Sequence, residues 1–188
     1  MSSGSCFIFT LSAFHLVQTL IAFVAVGTLE IEEIHRDPAV KWAGIDTGSD
    51  ENTIPVGTFL FAVVASSICG AFTFFFMVYN FVAHKLYWRK GKILHILLIV
   101  LTLLLSGLAA TASVIMGRDL DAFCKRTAQP DQCGALLAKA DKNIGVIYSG
   151  ITADAVLAIT FIVYAIIEIV LYYRQFNSQT RWRSLGGV

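Results

Sequence analysis

Charge is what this sequence has least of. Asp, Glu, Lys and Arg make up 14% of the 188 residues, against 56% hydrophobic ones. A soluble domain carries nearer ~25% charged residues, so a globule that covers itself with hydrated groups is excluded. Proline is rarer still: Pro38, Pro55 and Pro130 are the three, and all lie between the apolar runs. The four cysteines, Cys6, Cys69, Cys124 and Cys133, include no C-x-x-C pair, which argues against a dithiol redox centre. No Gly-rich phosphate loop, H-E-x-x-H or G-x-S-x-G occurs, and no N-x-[ST] acceptor. The near-neutral net charge of +1 gives nucleic acid nothing to grip. We therefore expect no catalytic residue, no cofactor, no metal site and no nucleic-acid partner.

What is present is long and greasy. A helix needs ~20 apolar residues to cross ~30 Å of hydrocarbon, and four runs qualify: residues 7–29, 56–83, 93–116 and 144–173. In lipid every backbone amide must bond within its own segment, so proline-free runs of this length read as continuous α-helices. The expected fold class is all-α, an integral membrane four-helix bundle of up-down topology in one domain.

Flanking charge orients it. The link 84–92 ("HKLYWRKGK" in its core) carries Lys85, Arg89, Lys90 and Lys92 with no acid, and the tail 174–188 carries Arg174, Arg181 and Arg183 with none. Loop 30–55 has seven acids against Arg36 and Lys41; loop 117–143 has five bases and four acids. Lys and Arg tie at seven per side, but those of the link and tail crowd the helix ends, where the positive-inside effect operates. Both termini and the link are expected in the cytoplasm, with the two long loops outside or in a lumen. The start "MSSGSC" lacks a positive n-region, so the first run is expected to be retained. Localisation to the plasma membrane or a secretory-pathway membrane follows.

That orientation settles how to read "DLDAFCKRTAQPDQCGALL". On the outer side Cys124 and Cys133 lie in an oxidising space, where a structural disulfide is expected over free thiols or a metal site. Tyr87 and Trp88 in the link, and Tyr172, Tyr173 and Trp182 near the last helix end, are expected as membrane-surface anchors beside the basic residues. The tail itself reads either as a surface-lying segment on an anionic inner leaflet or as a short disordered end. The ring-rich "FTFFFMVYNF" reads as lipid-facing bulk, with a sterol- or sphingolipid-contacting surface as the alternative.

Helices associate in lipid through small residues that let backbones approach. The second run offers Ser66 with Gly70 and Ser67 with Ala71. The third offers Ser106 with Ala110 and Ala109 with Ser113; the fourth offers Gly145 with Ser149 and Ala158 with Ala165. These read as intramolecular packing, with homo-oligomer contacts as the alternative. Polar groups at depth are few: His15 with Gln18, Asp154 and Glu168. Asp154 is expected at the outer interface, hydrated, and Glu168 within snorkelling reach of the inner side. His15 and Glu168 fall at similar heights, so a hydrogen bond between them is feasible if the first and last helices are neighbours. His35, among the acids of the first loop, reads as part of a solvated extension of the first helix.

Over "ILHILLIVLTLLLSGLAATASVI" and "CGALLAKADKNIGVIYSGI", and in its layout of cytoplasmic ends, a tight link and a cysteine-pinned second outer loop, the chain resembles the MARVEL-type tetraspan proteins, especially small fungal ones. The third run lacks the charged residue many such proteins carry. The resemblance implies a role in membrane microdomains, membrane apposition or trafficking, through lateral contacts with lipids, other membrane proteins or itself. The other expectation is an accessory subunit of a larger channel, pump or respiratory complex, and a small transporter ranks below both.

Overall fold

The computed structural model describes residues 3–34, 56–85, 91–126 and 143–185. These form four helices: α1 Ser3–Ile34, α2 Val56–Lys85, α3 Lys92–Arg126 and α4 Ile144–Leu185. All four are long and apolar enough to cross a membrane. At ~1.5 Å per residue, even the 30 residues of α2 exceed a hydrocarbon core, and the 42 of α4 amount to twice one. Asn143 starts α4: its Oδ1 accepts the Gly145 amide at 2.9 Å and its carbonyl takes the amides of Val146 and Ile147. An Asn at this position meets donors the helix leaves over.

Each helix packs on two others, α1 on α2 and α4, and α3 on α4 and α2, with the α2–α3 seam the thinnest. Side-chain bonds give the registers. Thr19 meets Thr73, Gln18 meets Thr160, Thr58 meets Asp119, and Ser106 meets the Ala158 carbonyl. Second contacts give the direction on two seams: Ala22 meets Gly70 where Thr19 meets Thr73, and Ser113 meets Ile151 where Ser106 meets Ala158, so α1 runs antiparallel to α2 and α3 to α4.

Small residues work at some of the expected positions. A methyl added to Gly70 would lie 3.2 Å from the Ala22 Cβ, so α1 and α2 touch there with nothing to spare. Ser106 and Ser113 each donate to a carbonyl of α4, those of Ala158 and Ile151, and Ala109, Ala158 and Ala165 are buried. Ala110 is half-buried. Ser67, Ala71, Gly145 and Ser149 are instead exposed. The Ser149 hydroxyl returns to the Val146 carbonyl of its own helix, the usual refuge of a hydroxyl facing away from water.

Two boundaries differ from the sequence reading. The third helix continues ten residues past Met116 to Arg126, because Leu120 is buried and Cys124 packs on the same apolar cluster as Met116. A buried position every fourth residue pays for continuing the helix through charged surroundings. The segment after Tyr173 is no irregular tail: it continues α4 to Leu185. Among the described cysteines Cys69 is free, while Cys124 is a bonded sulfur. Cys133, Tyr87, Trp88, Arg89, Lys90 and His35 lie outside the described residues. Lys85, Arg181, Trp182 and Arg183 fall on helical backbone.

Candidate functional site

The polar side chains that sequence scattered over four helices are gathered on the bundle interior in three tiers. The innermost centres on Glu168, which is fully buried on α4. Tyr164, one turn earlier, donates its hydroxyl to Glu168 Oε1 at 2.8 Å. His95 of α3 puts Nδ1 2.8 Å from Glu168 Oε2 and Nε2 3.1 Å from Gln175 Oε1. Both ring nitrogens thus face oxygens. An imidazolium fills that arrangement with two donors; a neutral ring fills it with the Gln175 amide turned round, or with a protonated Glu168 carboxyl donating to Nδ1.

The middle tier belongs to α1. His15 Nδ1 lies 2.8 Å from Gln18 Oε1, and Gln18 Nε2 donates to Thr160 Oγ1 of α4 at 3.0 Å. The His15 ring meets the Tyr164 ring edge-on, with centroids 4.4 Å apart, and Phe76 of α2 closes the other side. Thr19 reaches Thr73 of α2 at 3.0 Å. His15 and Glu168 therefore do come close, as their heights suggest, but through Tyr164 rather than a mutual hydrogen bond. The partner of Glu168 is His95, which the sequence reading passed over.

Asp154 makes the third tier and corrects a second expectation. It is 1% exposed rather than hydrated at the interface, and accepts from Ser66 Oγ of α2 at 2.6 Å. Its Oδ2 has no hydrogen-bond partner among the described residues. Nearer the outer end Thr58 donates to Asp119 Oδ2 at 2.6 Å, and Arg118 holds the other oxygen at 3.2 Å. Between the middle tier and Asp154 lies a dry stretch of Leu157, Ala158 and Cys69, all buried.

Chemically, the tiers act as cross-links. Each joins at least two helices, and leaving a member unpaired in a medium without water costs several kcal/mol. No group of three potential ligands for a metal ion occurs among the described residues. Outside, the helices present large apolar side chains, Phe23, Leu104, Val114 and Ile159 among them, each at least 60% exposed. Grooves notch this surface among the described residues. One of about 570 Å³ runs between α1 and α4 past Val17, Leu20 and Val156, and one of about 310 Å³ lies between α1 and α2 over Ser66, Gly70 and Ala71.

Of the residues expected at the membrane surface, those described gather where the start of α3 meets α4 around Gln175. Tyr172 packs at a tilt against Phe176 with centroids 4.8 Å apart, and Tyr173 and Arg174 are exposed. Lys92 lies over the Phe176 ring at 4.8 Å. No family model, no curated protein and no solved structure matches the chain.

Proposed function

We propose that the chain is a multi-pass membrane protein, an up-down bundle of four spans with both termini cytoplasmic, that acts through lateral contacts with lipids and other membrane proteins and without catalysis. One observation carries the reading: the ionisable and amide groups His15, Gln18, His95, Asp154 and Glu168 turn inward and bind other buried groups, while the described outward faces carry large apolar side chains interrupted only by small hydroxyl residues such as Ser67 and Ser149. A protein built this way spends its polar chemistry on holding itself together and offers its neighbours shape and grease. The two outer grooves support the same reading, since each is a place for an acyl chain or a partner's side chain to seat. Organisation of membrane microdomains, membrane apposition or trafficking is the role this suggests, in line with the MARVEL-type resemblance. A Cys124–Cys133 bridge pinning the second outer loop belongs to the same proposal; the bonded state of Cys124 supports it.

The test is to solubilise the protein gently and weigh what travels with it by native mass spectrometry. A homo-oligomer or a lipid-rich particle is the expected result. A stoichiometric large partner replaces this reading with the accessory-subunit one, and ion flux through the protein reconstituted alone overturns both. Epitope tags on the two termini, tested for accessibility in intact cells, check the orientation; labelling of either from outside inverts it.

A further inference from the structure

One outward-facing hydroxyl differs from its neighbours. Thr111, Ser149 and Thr152 are exposed, and each returns its proton to a carbonyl of its own helix at 2.7–2.8 Å. Ser67 of α2 is exposed too, yet its hydroxyl has no hydrogen-bond partner among the described residues. A hydroxyl left unbonded in hydrocarbon is costly. Ser67 stands at the rim of the groove of about 310 Å³ between α1 and α2, which Ser66 and Gly70 line on the buried side and which Phe23 and Phe74 flank, 68% and 54% exposed. The tight approach of Ala22 to Gly70 leaves no slack beneath it. Ser67 lies ten residues inside Gly57 and fifteen inside Val82, the limits of the apolar span, or roughly 15 Å and 22 Å at ~1.5 Å per residue. It is therefore near the middle of the membrane, far from either headgroup layer.

We infer that this rim and groove form the contact between two copies of the chain, related by a two-fold axis along the membrane normal, with their Ser67 hydroxyls bonded to each other. Depth selects the occupant. The hydrogen-bonding groups of a lipid sit at headgroup level, beyond the ends of a ~30 Å hydrocarbon core, and its acyl chains bring none. A polar group at mid-membrane has to come from another protein span. A second copy inserted the same way carries the same hydroxyl at the same depth, and one serine donates where the other accepts. The two-fold makes such a surface self-complementary. Ala71, exposed one turn further on, holds the two α2 helices apart by no more than a methyl. The spacing of small residues alone singles out no partner; the unpaired hydroxyl beside the groove does.

This inference rests on the proposal of a membrane protein that acts by lateral contacts, and its failure is told apart from the failure of that proposal. Ser67→Cys is introduced into the full-length protein and oxidised in native membranes, and the linked peptides are identified by mass spectrometry. A disulfide joining the two introduced positions is expected, whereas the wild type and Ile159→Cys, a site 60% exposed on α4, give no such dimer. Ala71→Phe is expected to weaken dimerisation about tenfold or more by overfilling a close contact, and to leave the Tm in detergent unchanged because the position is exposed. Val114→Phe, an exposed change on α3, leaves both unchanged. Absence of the link at position 67, equal linking through Ile159→Cys, a link from position 67 to a different protein, or an undiminished dimer in Ala71→Phe each overturns the inference. Should Ala71→Phe lower the Tm, the link at position 67 decides by itself. A monomer carrying only lipid condemns the dimer and leaves the lateral-contact reading standing; a stoichiometric large partner condemns that reading instead.

Discussion

Replacing His95 with Leu is the sharpest test of the inner tier. In the native protein Glu168 receives one bond from Tyr164 and one from His95, both at 2.8 Å, and no water reaches it. Removing His95 strands half of a dry carboxylate, and removal of one member of a buried charged pair costs about 3–5 kcal/mol. Glu168→Leu alone costs a similar amount by stranding the ring. The double variant H95L/E168L removes both, and replacement of a buried pair by packed apolar groups is often close to neutral. The expected coupling is therefore several kcal/mol. The magnitude also identifies the bond: interhelical hydrogen bonds between neutral groups in membranes average ~0.6 kcal/mol and reach ~1.7. A double-mutant cycle from reversible unfolding in mixed micelles measures it. Coupling above about 2 kcal/mol identifies an ion pair, coupling below that a neutral contact, and strictly additive single effects refute the clamp altogether.

Three further outcomes follow from the packing. Ser66→Ala should cost about 1–3 kcal/mol by leaving Asp154 without its donor, whereas Asp154→Leu should be nearly neutral, since the Ser66 hydroxyl can turn its one proton to the Ala62 carbonyl 2.8 Å away; the two unfolding midpoints compare directly. Gly70→Val should destabilise the protein because of the 3.2 Å approach to Ala22, while Gly107→Ala, with open space around it, should gain up to about 1 kcal/mol from helix propensity. Cys133→Ser should cost about 2.7 kcal/mol for a bridge closing a ten-residue loop; equal stability of wild type and variant under non-reducing conditions refutes the bridge.

The four long apolar helices were legible in the sequence because length and dryness are properties of composition. What faces what depends on helical phase, and that is where the reading fell short. Asp154 was placed by its distance from the driest window, which sets it near an interface. Its phase tells otherwise: it shares a stripe with Leu157, Phe161, Tyr164 and Glu168, all buried. His95, which did not figure among the polar groups at depth, heads the buried series of Leu98, Thr102, Leu105 and Ala109. The Tyr164–Glu168 pair, four apart on one helix, was visible throughout. In the small-residue pairs phase again decides: Ser66 and Gly70 lie toward the interior, whereas Ser67 and Ala71, one step round the helix, face out. Composition alone gave no way to tell them apart.

The length of α4 has a mechanical corollary. No proline interrupts its 42 residues, and its final turns stand beyond the start of α3. Tail and span are thus one spar rather than a rope tied to a post. A force on the end therefore acts first on the turns of the same helix that hold Gln175 and Glu168 against His95. Whatever takes hold of that overhang has its hand on the entire lever.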